Sequence, residues 1–339
     1  MPIFNVLIIA ILGGALFSFL HIPIPWMLGP LVFVLCSQFV IRELKWPKAF
    51  RNVGLIIVSV TIGEAFVVEL FLQPQMLELS LYLIGLNIAL LCFAFFMSFV
   101  LQKWTGQTFM NAVVCSVPGG LSQIVTFAEE QKNIDLAVVT YFHVVRVLAV
   151  VVVIPFIISP HSVAATPIPW QLGEVPALLL LLLCSAHCVP IARKLRIPTP
   201  QILGPVLFVI VLKLFHVELP LLPTTLQQLA QLLVGAYIGL LLKPPMLKLA
   251  PRMLIAGVAS AAVLLIVTYG GAHILMHQLD YSFATAFLAT APGGLDQMGI
   301  LAAAVGANIS IVTLFQLVRI LFIFFVAMPL VQLLNRKYS

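Results

Sequence analysis

The stretch VPGGLSQ at 117–123 and its near copy APGGLDQ at 291–297 decide how this sequence folds. Each stretch lies within a long apolar region and combines a proline with two glycines, which together interrupt a helix. The nine residues 109–117 before the first break would form about 13 Å of helix, which is roughly half of a bilayer's hydrocarbon core. We therefore predict two re-entrant hairpins that each enter and leave the membrane on one face, at about 109–131 and about 282–305.

These two stretches belong to a longer internal repeat. Three further pairs of segments recur in the same order, 173 to 176 positions apart: IPIPWMLGP at 22–30 with IPTPQILGP at 197–205, TIG at 61–63 with YIG at 237–239, and VTYFHVVR at 139–146 with VTLFQLVR at 312–319. Conserved order at a nearly constant spacing indicates a tandem duplication. We predict membrane repeat 1 at 1–158, an inter-repeat loop at 159–175 and membrane repeat 2 at 176–339.

The composition is typical of a membrane protein. Hydrophobic residues make up 62% of the 339 residues and charged residues only 8%, whereas soluble domains carry about 25% charged residues. Several apolar runs approach the roughly 20 residues that span a bilayer. None of them alternates, so we expect helices, which pair their own backbone groups inside lipid. The predicted fold is an all-α polytopic membrane protein, and we expect the first apolar segment to be a membrane helix rather than a removable signal peptide.

The distribution of positive charge predicts the topology. If both hairpins are re-entrant, about ten helices cross the membrane, and all but three of the 17 lysine and arginine residues lie on one face together with both termini. Positive residues favour the cytoplasmic side, so we expect a bacterial inner (cytoplasmic) membrane protein with cytoplasmic N- and C-termini. Five crossings per half invert the second repeat. In the alternative topology, the fifth segment of each half crosses fully as a broken helix while another segment lies flat.

The helix breaks also predict a solute-binding site. The half-helix after each PGG would direct free N–H groups toward the midplane, where they suit an anionic group. Arg146 and Arg319 lie mid-helix, where a charge costs about 2.5–3.5 kcal/mol and needs water or a partner. The candidate binding residues are Pro118, Gly119, Gly120, Ser122, Gln123, His143, Arg146, Pro292, Gly293, Gly294, Asp296, Gln297, Gln316 and Arg319.

Simpler roles for the same residues stay open. Ser122 and Asp296 could serve only as helix caps. The two arginines could serve only to hold the hairpins, through tip carbonyls, Asp296 or Glu64. Glu64 and Asp296 break the repeat symmetry, since leucine and serine stand at the corresponding positions. We interpret them as candidate sites for a coupling proton or sodium ion, with ion pairing to arginine as the alternative.

Metal and cofactor chemistry find little support in the sequence. Cys184, His187 and Cys188 share one helical face, and His273 and His277 share another, but neither group is a complete ligand set. There is no nucleotide-binding or nucleophile motif, and the basic residues form no stripe for nucleic acid. We therefore expect no metal, no cofactor and no enzymatic activity. The expected partners are the lipid bilayer and a small solute, and a homodimer stays open.

The I-P-x-P openings, the paired PGGL-x-Q blocks and the later V-R helices resemble the AbrB family of duplicated bacterial membrane proteins, over nearly the whole chain. Its members carry the labels ammonia monooxygenase and AidB regulator, and they are unrelated to the soluble DNA-binding proteins of the same name. The resemblance supplies no functional residues. From the residues we predict a secondary transporter, of elevator type and coupled to protons or sodium, for a small solute such as an organic anion. The alternatives are a membrane-embedded ligand sensor or regulator and a membrane metalloenzyme.

Overall fold

A computed structural model describes residues 2–41, 43–66, 76–119, 121–131, 134–158 and 167–338. Within this part of the chain, the backbone forms helices and their connections without any strand. The helices, in chain order, are α1 (Pro2–Phe19), α2 (Pro25–Ser37), α3 (Lys48–Ala65), α4 (Met76–Thr105), α5 (Phe109–Ser116), α6 (Leu121–Glu130), α7 (Leu136–Ile158), α8 (Val175–Lys194), α9 (Pro200–Leu214), α10 (Thr224–Gly239), α11 (Pro251–Leu279), α12 (Phe283–Thr290), α13 (Leu295–Ala304), α14 (Ile309–Phe322) and α15 (Met328–Tyr338).

Seven helical stretches of the described chain are long and apolar enough to cross a membrane: Pro2–Phe19, Leu79–Thr105, Leu136–Ile158, Leu172–Lys194, Thr224–Lys248, Pro251–Leu279 and Ile309–Asn335. The protein is therefore a multi-pass, all-helical membrane protein. Helices α2 and α9 have 13 and 15 residues, or about 20 and 22 Å, which is short for a core of about 30 Å. The count of ten crossings stays a prediction.

The chain divides into two compact units, and each unit combines segments from both predicted repeats. Unit 1 comprises Met1–Gln73, Pro155–Leu241 and Leu295–Thr313. Unit 2 comprises Pro74–Ile154, Leu242–Gly294 and Leu314–Ser339. The repeat boundaries stay a prediction, because a compact unit need not coincide with a duplicated one.

Unit 1 interleaves helices of the two halves. Helix α2 packs on α10, α3 packs on α9, and α3 and α10 pack on each other. The glycines of the TIG and YIG motifs permit this close approach, because a Cβ atom on Gly63 would lie 2.6 Å from Val209 Cβ and one on Gly239 would lie 2.6 Å from the carbonyl oxygen of Leu31. A larger residue at either position would force the helices apart.

In unit 1, the C-terminal ends of α10 and α3 are capped by side chains that stand at corresponding positions of the two halves. Gln38 Nε2 donates to the carbonyl of Gly239, at the end of α10, over 3.0 Å. Lys213 Nζ donates to the carbonyls of Glu64 and Phe66, at the end of α3, over 2.6 and 2.8 Å. Lys213 is one of the three cations that fall outside the predicted positive face, and it satisfies carbonyls at a helix end.

Unit 2 carries both short helices that precede a PGG break. Helix α4 packs on α5 and on α11, α11 packs on α12, and α15 packs on α5. Tyr141 ties α7 to α11, since its hydroxyl donates to the carbonyl of Leu254 over 2.9 Å. Gly257 leaves room for that ring, because a Cβ atom there would lie 2.5 Å from it.

The two helix pairs around the breaks have matching lengths. Helices α5 and α12 have eight residues each, and α6 and α13 have ten each. Helices α5, α6 and α12 belong to unit 2, whereas α13 belongs to unit 1. In the described chain, one helix ends before each PGG segment and the next begins directly after it. The re-entrant path of the two hairpins stays a prediction.

A π-helical turn, Ile323–Ala327, joins α14 to α15. The sequence gives the reason, because nine positions separate Arg146 from Pro155 in the first half whereas ten separate Arg319 from Pro329 in the second. A π turn accommodates one extra residue in a helix, and such turns are frequent at functional sites.

Candidate functional site

Helices α5 and α12 begin and end in the same way. At their N-termini, Thr108 Oγ1 accepts from the N–H of Asn111 over 3.2 Å, and Ser282 Oγ accepts from the N–H of Thr285 over 3.3 Å. At their C-termini the chain becomes extended and proline follows. Because proline cannot continue the helix, the last carbonyls of α5 and α12 need partners from elsewhere.

The first clamp consists of Arg146 and His143 on α7, which hold the end of α5. Arg146 is 6% exposed. Its Nη1 and Nη2 donate to the carbonyls of Val117 and Gly119 over 3.2 and 3.1 Å. The imidazole of His143 lies 2.9 Å from the carbonyl of Val114 through Nε2 and 2.6 Å from Arg146 Nη2 through Nδ1. Nε2 must therefore carry the proton and Nδ1 must accept, which makes His143 a neutral donor–acceptor bridge.

The second clamp consists of Arg319 and Gln316 on α14, which hold the end of α12. Arg319 is 4% exposed, and its Nη2 donates to the carbonyls of Ala289 and Thr290 over 2.9 Å each. Its Nη1 donates to the carbonyl of Ala291 and, over 3.2 Å, to Gln316 Oε1.

The amide of Gln316 performs the same bridging role in the second clamp. Gln316 Nε2 donates to the carbonyls of Leu288 and Ala291 over 2.8 and 3.1 Å. Leu288 corresponds to Val114 of the first half. His143 thus donates to the end of α5 and Gln316 to the corresponding end of α12. Each also accepts a hydrogen bond from the arginine of its own helix.

The carbonyls leave the charge of the two guanidinium groups largely uncompensated. Neither arginine lies within 4 Å of a carboxylate among the side chains that the structure describes. The Nε atoms of Arg146 and Arg319 are buried without a hydrogen-bond partner. A helix C-terminus carries about half a negative charge, so it offsets only part of one arginine.

Each arginine also lines a recess in unit 2. Arg319 shares one recess with Asn87 of α4 and with Val117 and Pro118 at the first helix break. Arg146 shares another with Cys115 and Ser116 of α5 and with Ser260 of α11. The second arginine therefore lies beside the first PGG break.

In unit 1, Asp296 lies in the first turn of α13 and is 6% exposed. Its Oδ2 is 3.7 Å from Arg51 Nη2 of α3. The Arg51 guanidinium also lies 4.9 Å from the centre of the Tyr237 ring of α10. Asp296 therefore has a cationic partner, but that partner is neither of the arginines that the sequence pattern suggested.

Glu64 lies half-buried at the end of α3 in unit 1. Lys213 donates to its backbone carbonyl, and the side chain of Ser310 donates to the neighbouring carbonyl of Ala65 over 2.7 Å. The two candidate coupling acids thus belong to unit 1, whereas both clamps belong to unit 2.

The other predicted site residues divide into described and undescribed ones. Pro118 and Pro292 are buried, Gly119, Gly293 and Gly294 are half-buried, and Gln297 is 8% exposed. Gly120 and the side chains of Ser122 and Gln123 lie outside the described residues. The binding role assigned to this whole set stays a prediction.

Sequence reasoning missed Arg51 as a site residue. In the sequence it is one of several cations before an apolar run, which the predicted topology places on the cytoplasmic face. Nothing in that pattern indicates Asp296 as its partner. The carbonyls at both breaks are one of the three kinds of partner that the sequence leaves open for Arg146 and Arg319.

No group of three His, Cys, Asp or Glu residues in the described chain is arranged to hold a metal ion. His187 Nδ1 lies 2.8 Å from the carbonyl of Leu183, four residues earlier in its own helix. His273 and His277 stack on each other, and His273 also contacts the ring of Tyr269 of α11 edge-on and that of Phe283 of α12 at a tilt. These contacts are those of helix packing.

The fold and these contacts define a multi-pass helical membrane protein with two interrupted helices, each held by a buried arginine. The chain belongs to the AbrB family, because the family model described as "Transition state regulatory protein AbrB" matches residues 26–335. It is 24% identical to the uncharacterized protein YhjN of Bacillus subtilis (strain 168), over 96% of this chain and 91% of that protein. It is 26% identical to a protein of Escherichia coli (strain K12) named as a regulator, AbrB, over 90% of this chain and 88% of that protein. No solved structure matches the chain.

Proposed function

We propose that this protein is a secondary transporter that moves a small organic anion across a bacterial inner membrane. The observation that supports the proposal is the pair of buried arginines in unit 2, at the two helix breaks, without a carboxylate partner among the described side chains. Two like charges in a medium of low dielectric constant repel strongly and favour an anion nearby. An anion that binds and leaves would supply this charge only transiently, as transport requires.

The repeat and the breaks support transport over simple binding. Inverted halves with discontinuous helices that meet near the bilayer midplane are typical of secondary transporters. We propose that the PGG segments are re-entrant hairpins, that the second repeat is inverted and that both termini face the cytoplasm. The matching lengths of α5 with α12 and of α6 with α13 favour this arrangement. An elevator-type movement follows as the mechanism to test.

Coupling is assigned to the two acids that break the repeat symmetry. Glu64 and Asp296 are the candidates for a proton or a sodium ion. Asp296 would have to exchange Arg51 for the coupling ion during the cycle, because its carboxylate faces that cation in the present conformation. The proposal includes no chemical conversion of the solute and no cofactor.

Flux measurements in proteoliposomes test the proposal. The purified protein is reconstituted, and uptake and efflux of labelled organic acids are measured with and without a proton or sodium gradient. We expect protein-dependent flux of at least one organic anion, with the solute recovered chemically unchanged. Absence of flux for every acid under every gradient would overturn the proposal, and a changed solute would indicate an enzyme.

Variants then connect the flux to the arginine pair. Arg146→Gln and Arg319→Gln, checked for folding by gel filtration, should lose most of the flux because each removes one of the two buried charges. Arg252→Ala is the matched control, since it removes an arginine that is exposed at the start of α11. Full flux in both folded glutamine variants would contradict the role of the pair.

A second candidate function is a membrane-embedded sensor that regulates gene expression. The names of the family and of the Escherichia coli relative favour it, since both describe a regulator. A sensor would bind its ligand without moving it. Saturable binding without flux, together with a ligand-dependent change in transcript levels that disappears on deletion of the gene, would favour the sensor over the transporter.

A further inference from the structure

The first turns of α5 and α7 are joined by a buried amide in unit 2. Asn111, on the first turn of α5, is 1% exposed, and its Oδ1 accepts from the backbone N–H of Asp135 over 3.1 Å. Asp135 itself caps α7, because its Oδ1 accepts from the N–H groups of Ala137 and Val138 over 2.9 and 3.2 Å. The N–H of a capping residue has no acceptor within its own helix, so Asn111 supplies one from the neighbouring helix.

Helices α5 and α7 run in the same direction from this point. The hydrogen bonds that join them follow the same order along both helices: Asn111 with Asp135, Val114 with His143, and Val117 with Arg146. At 1.5 Å per residue these contacts advance by about 9 Å along α5 and by about 16 Å along α7. The long side chain of Arg146 covers the difference, because side chains in a helix lean toward its N-terminus.

Helix α6 leads from the first break to the start of α7. It has ten residues, or about 15 Å of helix. Gln131, the residue after α6, accepts through Oε1 from Asn335 Nδ2 over 2.8 Å. Asn335 lies on α15, which also packs on α5, and it is 6% exposed. A continuous helix over 109–130 would be about 33 Å long, which is incompatible with a hydrogen bond between Asn111 and Asp135.

The repeat keeps polar residues at the positions that cap and join these two helices. Thr108, Asn111 and Asp135 of the first half correspond to Ser282, Thr285 and Asn308 of the second. Like Asp135, Asn308 caps its helix, since its Oδ1 accepts from the N–H of Ile311 over 3.1 Å. In a chain that is 62% hydrophobic, polar residues at all three positions of both halves indicate a shared local requirement.

We propose that the first hairpin turns back at its PGG break and that Asn111 and Asn335 lock its mouth, which we define as Asn111, Gln131 and Asp135. The entry and the exit of the hairpin then lie on one face of the membrane. Both asparagines are positioning residues, because they fix α5 and α6 against α7 and α15 and so keep the carbonyls of the break within reach of Arg146. The inference rests on the proposed function for its role in transport, where the lock controls access to the first break.

The sidedness of thiol labelling tests the path of the hairpin. In a protein whose five native cysteines are replaced by alanine, Trp104→Cys and Ala137→Cys place single thiols at exposed positions before and after the hairpin. Gly173→Cys is the control in the predicted inter-repeat loop, where a Cβ atom meets nothing within 4 Å. With a membrane-impermeant maleimide, we expect the first two thiols to react in inverted vesicles and the third in right-side-out vesicles. Labelling of the Trp104→Cys and Ala137→Cys variants from opposite sides would overturn the proposal.

The reactivity of Cys115 tests the lock. This residue of α5 is 5% exposed, and it becomes the remaining thiol when the other four cysteines are replaced by alanine. Asn111→Leu and Asn335→Leu should each raise its rate of reaction with methyl methanethiosulfonate by about tenfold or more, since each variant loses a buried hydrogen bond at the mouth. Should Asn111→Leu fail to fold, Asn335→Leu still decides. A Cys115 rate that is unchanged in every folded variant would overturn the lock.

A second thiol separates a local lock from general loosening of the fold. Ala286→Cys places it on α12 of the second hairpin, where the native side chain is 0% exposed and which corresponds to Ala112 of α5. In a background without other cysteines, its rate should stay the same when Asn111→Leu or Asn335→Leu is added. An equal rise at both thiols would assign the asparagines a general structural role and overturn their positioning role.

The lock and transport can fail separately. Faster labelling of Cys115 in the leucine variants, without flux of any acid, would retain the lock and overturn transport. Flux of organic acids together with unchanged labelling of Cys115 in the folded variants would retain transport and overturn the lock.

Discussion

The two clamps perform one task with different residues. At the first, Arg146 donates to two carbonyls of the break and His143 bridges to Val114. At the second, Arg319 donates to three carbonyls and Gln316 bridges to Leu288. The arginine is retained in both halves, whereas its neighbour changes between imidazole and amide. The position three residues before each arginine therefore needs a side chain with one donor for the helix end and one acceptor for the guanidinium. It does not need one particular residue type.

The surroundings of the two clamps differ more than the clamps themselves. The second break is followed by Asp296, which lies near Arg51, and the second arginine is followed by the π turn Ile323–Ala327. In the first half the corresponding positions hold Ser122 and a stretch that is one residue shorter before Pro155. The two halves therefore differ in the residue that caps the second half-helix and in the length of the arginine helix before its proline.

The largest expected effect is the loss of either arginine. Arg319→Ala should destabilise the protein more than Arg146→Ala, because it leaves three carbonyls of the break without their partner instead of two, and each buried unpaired carbonyl costs about 1–3 kcal/mol. Thermal unfolding in detergent should show a lower melting temperature for both, with the greater decrease for Arg319→Ala. Arg252→Ala is the control. Equal melting temperatures for all three variants would contradict the clamp.

Exchanging the bridging residues sharpens the comparison. His143→Gln and Gln316→His should each cost less than about 1 kcal/mol, because either side chain can donate to the helix end and accept from arginine. His143→Leu removes both bonds from a fully buried site and should cost about 1–3 kcal/mol. The same unfolding assay compares the three. A histidine-to-glutamine variant as unstable as the leucine variant would show that the imidazole has a further role.

The caps at the opposite ends of the short helices should both respond, the second more strongly. Thr108→Ala and Ser282→Ala each remove one hydroxyl acceptor at an N-terminus, which typically costs about 1 kcal/mol. Ser282→Ala also removes the hydrogen bond of 2.9 Å between the hydroxyls of Ser282 and Thr285, so its loss in unfolding free energy should be the larger. Thr108→Ser and Ser282→Thr keep the acceptor and serve as controls. A larger loss for Thr108→Ala would mean that the cap of α5 has further support.

The clamps show how far the sequence alone could lead. The repeat identified both breaks, both arginines and the side chain on the same helical face, since duplicated motifs and helical spacing are local features. The sequence left three kinds of partner open for each arginine: the tip carbonyls, Asp296 and Glu64. Spacing along one helix does not specify which atoms of another helix lie opposite. The carbonyl acceptors became evident only with the helix ends in place.

Other contacts could not have been derived in that way. Lys213 reaches the end of α3, and Arg51 reaches Asp296, although each pair is far apart in the sequence. Both arginine and lysine have long side chains whose direction depends on packing, so a cation counted as a topology signal can equally satisfy a helix end or a carboxylate. The need for glycine in the TIG and YIG motifs also could not be derived from the sequence, because it depends on the helix that packs against each glycine.

The smallest expected effect concerns the ion pair between Arg51 of the first half and Asp296 of the second. Arg51 Nη2 and Asp296 Oδ2 are 3.7 Å apart, and the arginine side chain is 26% exposed, so water screens the attraction and a coupling energy of at most about 1 kcal/mol is expected. A double-mutant cycle with Arg51→Gln and Asp296→Asn measures it from unfolding free energies, and the coupling should shrink further at high salt. If the pair only stabilises the fold, the flux of both single variants should follow their stability. If Asp296 binds the coupling ion, Asp296→Asn should abolish the dependence of flux on the ion gradient while Arg51→Gln keeps it. Gradient-dependent flux in a folded Asp296→Asn protein would remove Asp296 from the coupling site.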